Sequence, residues 1–309
     1  MKIRPFPGKL RLTAILWATL ITGCHSGPET KPVADIWSLY SGDRAFADVK
    51  RLVEMGPRPS GSGTLEQARE YIVAEVEKAG WKIEKQEFED ETPRGKVKFC
   101  NLIARYGDDA TSQQAIVCSH YDTKIFDSIR FVGASDGGSS TGALMELART
   151  LEKDPGLARR VELVFFDGEE AVVQFDATDG LYGSRYYAKT LRDSGRNKQF
   201  KFGVLWDMMG PKNLDITLSP DSPPELLRDI LKAADALKLR QDFTLYGHDI
   251  YDDHVPLLHI AEVPTIDLID FNYPPWHTAD DTLDKLAPES LQAVGAVTLY
   301  YLRTKYPNE

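Results

Sequence analysis

Apolar positions recur along this chain with two spacings, one typical of amphipathic helices and one typical of strands. The helical spacing predicts helices over Asp43–Met55, Gly63–Ala79, Thr141–Leu151, Tyr182–Leu191, Pro224–Ala236 and Pro288–Lys305. Alternating or continuous apolar runs predict strands over Trp81–Phe88, Lys98–Tyr106, Ala115–Tyr121, 161–167, Phe202–Trp206 and Pro264–Ile269. Strands that alternate with helices predict a single α/β domain. Its open, mixed sheet is expected to be mostly parallel, with antiparallel members at the start and helices on both faces.

The strand at 161–167 leads directly into two adjacent carboxylates. Its first six residues are apolar except Glu162, which predicts a mostly buried strand. A turn ends the strand, and Glu169 and Glu170 follow on the next loop. Ligands of open α/β sheets bind beyond the carboxyl ends of strands, so reactive side chains are expected here. A solvated turn would also explain an acidic pair, so the interpretation depends on the other strand ends.

The first 24 residues have the pattern of a secretory signal. Four basic residues precede a short apolar run over Leu12–Ile21, which is too short for a transmembrane helix. The end of the segment resembles a bacterial lipobox with Cys24 as the lipidated residue, and the alternative is an ordinary signal with this cysteine there by chance. We expect a signal peptide over residues 1–23, a lipidated cysteine and linker over residues 24–36, and a catalytic domain over residues 37–309.

Lipidation would tether an exported protein to a bacterial membrane, on the periplasmic or cell-envelope side, without embedding it. Removing residues 1–23 removes four of the 37 basic side chains and no acidic one, which leaves 33 basic against 47 acidic side chains and a formal charge of −14. Such a surface repels nucleic acid and anionic headgroups, and no nucleic-acid partner is expected.

Apart from Cys24, the cysteines are Cys100 and Cys118, and the sequence leaves open whether they form a disulfide.

Further candidates for chemistry lie at strand ends or in the loops after them. They are His120, Asp136, Asp207 and His277. Imidazole nitrogens and carboxylate oxygens form a donor set that suits zinc, and three protein ligands with one exchangeable position is the arrangement that catalysis needs. Glu169 and Glu170 can divide two tasks, one binding the metal and one moving protons. Asp122 can hold the His120 ring. Any one of these residues alone can be structural, but together they predict a zinc-dependent active site.

In these motifs the chain resembles the co-catalytic zinc aminopeptidase superfamily and, within it, the zinc-dependent glutaminyl cyclases of the animal type. The resemblance runs from about Arg58 to the C-terminus. Its most specific motifs are His120–Lys124, Phe131–Asp136, Phe165–Ala171, Leu181–Arg185, Asp252–Pro256 and Trp276–Thr278. The ten residues between Glu170 and Leu181 match the cyclase interval, whereas the aminopeptidases reach the corresponding Gly-Ser sooner. The resemblance implies a zinc-aminopeptidase-like fold.

The resemblance also implies an activity: cyclisation of the N-terminal glutamine of peptides or proteins to pyroglutamate, with release of ammonia. The ligands of a single zinc ion per chain would be Asp136, Glu170 and His277. Glu169 would move protons, and Asp207, hydrogen-bonded to Asp252, would orient the substrate amine. The residues implied for the glutamine pocket are Trp276, Phe175, Tyr273, Met208 and Ile250.

Two positions depart from the family pattern. Phe175 stands where the animal enzymes carry a tryptophan, which keeps an apolar wall but removes an indole donor. The loop Asp270–Trp276 is one residue shorter, which bears directly on the assignment of Tyr273 to the pocket.

Two other functions fit the same sequence. In a two-zinc aminopeptidase, His120 and Asp207 would bind a second metal ion and Asp136 would bridge both. All five ligands are present, so composition alone leaves the cyclase and the peptidase open. A binding domain without catalysis is the third interpretation, and the intact ligand set with Glu169 argues against it.

Overall fold

The computed structural model describes residues 1–2, 33, 35–108 and 112–307. Cys24, nearly all of the predicted signal peptide and most of the predicted linker therefore lie outside the described residues. The folded body begins with a short 3-10 helix over Ile36–Leu39, in which Ile36 is fully buried. Ile36, the last residue of the predicted linker, packs into the core. Among the described residues, no helix is both long enough and apolar enough to cross a membrane.

The described part of the chain contains alternating strands and helices. The strands are β1 (Trp81–Thr92), β2 (Gly95–Tyr106), β3 (Ala115–His120), β4 (Val161–Phe166), β5 (Phe202–Asp207), β6 (Ile216–Leu218), β7 (Phe243–Leu245) and β8 (Thr265–Ile269). The α-helices are α1 (Gly42–Met55), α2 (Gly63–Lys78), α3 (Gly138–Leu151), α4 (Pro155–Ala158), α5 (Tyr182–Ser194), α6 (Pro224–Ala236), α7 (His254–His259) and α8 (Pro288–Lys305). Further 3-10 helices cover Arg196–Gln199, Arg240–Asp242 and Leu283–Lys285.

The strands form one mixed sheet in the order β1-β2-β4-β3-β5-β8-β6-β7. The central strands β4, β3, β5 and β8 are parallel to one another. β1 and β2 pair antiparallel, as do β2 and β4 at one side and β6 and β8 at the other. The predicted fold is therefore confirmed. Because the four central strands run in one direction, their carboxyl ends meet at one edge of the sheet.

Helices cover both faces of this central sheet. Every residue of β3, β4, β5 and β8 is buried, which is why these strands read as continuous apolar runs. Successive side chains point to opposite faces: Val117 belongs to the core under α1, α3 and α8, whereas Ile116 and Cys118 belong to the core under α5 and α7. The central strands are thus fixed from both sides, which makes their carboxyl ends a rigid support.

Polar residues set the end of the β1–β2 hairpin and the start of helix α2. The β1–β2 hairpin continues beyond the predicted strands to a Thr92–Gly95 pair. The apolar pattern does not predict this extension, because the distal part of the hairpin consists mainly of solvent-exposed polar residues. Helix α2 begins where the Ser62 hydroxyl accepts a hydrogen bond from the Leu65 amide at 3.1 Å.

The two described cysteines are free and buried. Cys100 lies on β2 and Cys118 on β3, and β4 separates these strands in the sheet. The disulfide that the sequence left open is therefore absent, because the two strands are not neighbours.

Candidate active site

A cavity of about 440 Å³ opens at the carboxyl ends of the central strands. The loops after β3, β4, β5 and β8 contribute to its walls, as expected for ligand sites of open α/β sheets. This volume lies within the usual range for small-molecule sites. All the catalytic and metal-binding candidates from the sequence lie in this cavity or within hydrogen-bonding reach of its wall.

Asp136, Glu170 and His277 converge from three different loops. The Nε2 atom of His277 lies 3.3 Å from Asp136 Oδ2 and 3.2 Å from Glu170 Oε1. Burial, together with the Asp136 carboxylate, raises the pKa of Glu170 to about 7. Burial alone would lower the pKa of His277, but its contacts with both carboxylates raise it to about 9.

These three residues fit a metal ion by the chemistry of their donors. One donor atom from each lies within 4.8 Å of the other two. The Oδ2 atom of Asp136 is buried and has no hydrogen-bond partner among the described residues. A bound cation would satisfy this oxygen and relieve the repulsion between the two buried carboxylates.

A second group of possible ligands shares Asp136. The Nε2 atom of His120 lies 3.1 Å from Asp207 Oδ1 and 3.3 Å from Asp136 Oδ1. These three residues also offer donor atoms within 4.8 Å of one another. Geometry alone is therefore compatible with either one or two metal ions.

Glu169 belongs to neither ligand group. Its side chain is 12% exposed and lines the cavity, and its Oε2 atom lies 4.0 Å from His120 Nδ1. Burial raises the pKa of this carboxyl well above its usual range, against the opposing effect of His120. A carboxyl of this kind can exchange protons with a substrate near neutral pH.

Asp122 and Asp281 fix the backbone that carries the ligands. The Asp122 carboxylate accepts hydrogen bonds from the amides of Glu169 and Glu170, each at 3.2 Å. The predicted contact from Asp122 to the His120 ring is longer, at 3.5 Å. The Asp281 carboxylate accepts a hydrogen bond from the amide of Asp136 at 3.1 Å. Asp122 therefore contacts the backbone of the Glu169–Glu170 loop more closely than it contacts the His120 ring.

A fully buried arginine, Arg58, holds the loop that precedes Asp136. Its guanidinium donates hydrogen bonds to the carbonyls of Val132 at 2.8 Å and Gly133 at 3.1 Å, just before Asp136. Burial lowers the pKa of Arg58 to about 10, against the opposing effect of Asp122, so it stays charged at neutral pH. Arg58 therefore places a buried positive charge near the carboxylates of Asp122, Asp281 and Asp136. In the sequence, Arg58 stands out only as the start of the family resemblance.

The apolar wall of the cavity differs from the predicted one at a single position. Trp276, Phe175, Met208 and Ile250 line the cavity. Tyr273 does not, because it is buried behind the wall and its hydroxyl donates a hydrogen bond to Asp281 at 2.9 Å. Phe271 takes its place in the lining. The shortened loop was a sequence signal that the position of Tyr273 differs, but it does not indicate which residue lines the cavity instead.

Two residues of the cavity have left-handed backbone conformations that are unusual for side chains other than glycine. They are Met208, with φ of 43°, and His277, with φ of 56°. Such strain persists only where the surrounding structure imposes it, and it is concentrated at functional sites. Both residues line the cavity; Met208 directly follows β5, and His277 lies on the loop after β8.

Asp207 lies near a further buried carboxylate, Asp252. Burial and the neighbouring Asp207 carboxylate raise the pKa of Asp252, and burial also raises the pKa of Asp207. One Asp252 oxygen is buried without a hydrogen-bond partner among the described residues. A proton shared between the two carboxyl groups would satisfy it. The hydrogen bond predicted between Asp207 and Asp252 stays a prediction.

Known proteins resemble this chain over most of its length. The model for peptidase family M28 matches residues 101–302. The glutaminyl-peptide cyclotransferase-like protein of Bos taurus is 32% identical over 275 residues, which cover 79% of this chain and 70% of that protein. The family resemblance predicted from the motifs is thus confirmed.

Solved structures give the same result. A glutaminyl cyclase from an Acidobacteriales bacterium superposes with a TM-score of 0.78 at 30% identity, over 90% of this chain and 97% of its own. A Zn-dependent exopeptidase from Parabacteroides distasonis also superposes with a TM-score of 0.78, at 25% identity, over 87% of this chain and 99% of its own. Together with the two ligand groups, these neighbours indicate a metal-binding enzyme.

Proposed function

Since this chain belongs to peptidase family M28 and is related within it to the glutaminyl-peptide cyclotransferases, we propose that it converts the N-terminal glutamine of peptides or proteins to pyroglutamate. The observation that carries this proposal beyond the family is the buried pair Asp207 and Asp252. A proton shared between them would orient Asp207 towards a substrate amine and would make it a weaker ligand for a second metal ion. A two-zinc aminopeptidase would need Asp207 as a full anionic ligand.

The reaction is an intramolecular displacement. The α-amine of the substrate attacks its own γ-amide carbon, a new C–N bond closes the five-membered ring, and the original amide C–N bond breaks to release ammonia. Because the nucleophile is already attached to the substrate, correct positioning supplies much of the rate. Glu169 accepts a proton from the attacking amine and returns a proton to the departing nitrogen.

Asp136, Glu170 and His277 would hold one zinc ion, which supplies polarisation of the γ-carbonyl and stabilisation of the negative charge on its oxygen. Asp122 and Asp281 keep the three ligands in place through backbone hydrogen bonds. Met208, Ile250, Phe271, Trp276 and Phe175 line the cavity and would enclose the aliphatic part of the glutamine side chain. Water is thereby kept from the ring-closing step.

The proposal is tested by comparing two substrates with the purified protein. We expect ammonia and a pyroglutamyl product from a glutaminyl amide, and no release of the chromophore from a leucyl amide. The cyclisation product is identified by mass spectrometry. Rapid cleavage of the leucyl amide without cyclisation would instead establish the aminopeptidase.

We expect about one tightly held zinc ion per chain, because Asp252 competes for Asp207 and weakens the second ligand group. Metal analysis after dialysis measures this ratio. Two zinc ions that survive the same dialysis would favour the peptidase.

The exported, lipid-anchored state is part of the same proposal. Residues 1–23 would be removed as a signal peptide, and Cys24 would carry the lipid. Cys24→Ser is expected to release the protein from membranes after a high-salt wash and to leave kcat unchanged, since the lipid only tethers the enzyme. Membrane fractionation followed by immunoblotting measures the release. Wild-type protein that is already in the soluble fraction would refute the lipobox interpretation.

A further inference from the structure

A second cavity, of about 390 Å³, lies at the opposite end of the central strands. We call it the basal cavity, and define it by Asp154, Arg160, Lys201, Arg303, Lys305 and Tyr306. Arg160 immediately precedes β4 and Lys201 immediately precedes β5, so the cavity lies at the amino ends of these strands. Six residues of strand span roughly 20 Å, which separates the basal cavity from the active site.

The basal cavity carries an excess of positive charge. Arg303 forms an ion pair with Asp154, and Lys305 forms one with Asp229 at 2.8 Å. Within the described ranges, neither Arg160 nor Lys201 has a carboxylate in ion-pair contact. The ammonium of Lys201 instead lies 5.9 Å from the centre of the Tyr306 ring. Among the described residues, Arg160 and Lys201 are therefore the two cations of the cavity without a carboxylate partner.

Two donors in the wall also lack partners. The Nε atom of Arg303 and the hydroxyl of Tyr306 are buried and make no hydrogen bond to any described residue. Unpartnered buried donors are uncommon in folded proteins and are usually satisfied by a water or an ion. Both atoms are shielded from solvent, so contact with the oxygens of a phosphate group rests on the charges of Arg160 and Lys201.

The chain enters the folded body beside this cavity. The amide of Val33 donates a hydrogen bond at 2.9 Å to the carboxylate of Asp154. Cys24 lies nine residues earlier in the sequence. A fully extended chain spans at most about 3.6 Å per residue, so a lipid on Cys24 is held within about 32 Å of Val33. The proposed anchor thus brings the basal cavity close to the membrane surface.

We infer that the basal cavity binds the phosphate of an anionic phospholipid in the membrane to which the protein is tethered. This inference rests on the proposed lipid anchor at Cys24. Binding in this orientation turns the active site away from the bilayer, where the N-termini of peptide substrates can reach it. The lipid on Cys24 would keep the protein near the membrane, and the headgroup contact would fix which face of the protein is turned towards it.

The overall charge of −14 does not oppose this contact. Charges separated by more than about 8 Å are largely screened at physiological ionic strength, so the local cations decide the interaction. The acidic groups of the active site lie at the other end of the strands, beyond that distance. The sequence-based expectation of repulsion from anionic headgroups therefore applies to the average surface and not to the basal cavity.

The test uses the chain from residue 24 with Cys24→Ser, so that headgroup binding is measured without the lipid. The core begins only at Ile36, and the matching bacterial cyclase structure covers 90% of this chain. The protein is titrated with vesicles of phosphatidylcholine alone and of phosphatidylcholine with phosphatidylglycerol. We expect binding only to the vesicles that contain phosphatidylglycerol.

A charge-removing variant locates the contact. Arg160→Gln with Lys201→Gln is expected to raise the lipid concentration needed for half-maximal binding by about tenfold or more, since each basic residue near an anionic surface contributes to the attraction. The matched control, Lys96→Gln with Lys98→Gln, removes two charges from β2 beyond the carboxyl end of β4, and it should change binding less than twofold. All variants should keep the wild-type kcat, because both pairs lie outside the active site.

Several results would overturn the inference. Equal binding by the basal variant and the wild type, or no binding to anionic vesicles at all, would exclude a headgroup site. Saturable binding of inorganic phosphate without vesicle binding would identify a free-anion site instead. The fractionation of Cys24→Ser tests the anchor and the cyclisation assay tests the active site, so a failure of either is distinguished from a failure of the basal cavity.

Discussion

Glu169→Gln is expected to lower kcat by roughly 10²- to 10⁴-fold, the usual contribution of general acid–base catalysis. The amide keeps the size of the side chain but cannot accept the proton of the attacking amine. Since Glu169 lies in neither ligand group, its replacement should leave the metal content unchanged. Steady-state cyclisation rates and metal analysis of the same preparation measure the two effects separately.

Glu77→Gln is the matched control for this change. It removes one carboxylate from the exposed face of α2, away from the cavity, and should leave both kcat and metal content at the wild-type level. If Glu169→Gln lost the metal, or kept kcat within about threefold of the wild type, Glu169 would not be the proton-transferring group.

Glu170→Gln is expected to have a different effect, namely loss of the metal ion. A neutral amide is a poor replacement for an anionic ligand, and it also removes the carboxylate that faces His277 at 3.2 Å. Changes around a metal site typically cost 10- to 100-fold in metal affinity even when they touch no ligand, so we expect a loss of at least about 100-fold here. Titration with a competing chelator measures the affinity.

Excess zinc distinguishes the two variants. Added metal should restore part of the activity of Glu170→Gln and none of the activity of Glu169→Gln. The reverse pattern would mean that the roles of the two neighbouring glutamates are exchanged. Retention of full activity by both variants would place the chemistry elsewhere.

The sequence could place these candidate residues at one edge of the sheet because they follow buried, continuously apolar strands. His120, Asp207 and the Glu169–Glu170 pair each mark the carboxyl end of a buried strand, and such ends are visible in a single sequence. Strands of three residues, β6 and β7, were missed because a periodic pattern needs more positions than they contain. Helix α7 was missed for the same reason, since it has only six residues.

Loop conformation was the part that the sequence could not give. Tyr273 and Phe271 are both aromatic residues of one short loop, and which of them faces the cavity depends on the hydrogen bond from Tyr273 to Asp281. That contact joins residues eight positions apart across an irregular turn. Arg58 was likewise unassigned, because its carbonyl partners come from a loop more than seventy residues later.

The distribution of the ligands over the chain also links metal binding to folding. Asp136, Glu170 and His277 follow β3, β4 and β8, so no short segment of the unfolded chain can present all three together. An ion that binds only the folded state stabilises it, by about 2.7 kcal/mol when its concentration is a hundred times its dissociation constant. The ion would thus link the loop after β8 to the loops after β3 and β4. With the proposed export, the ion would be acquired in the compartment where the chain folds, and the zinc concentration there would affect the stability of the folded protein.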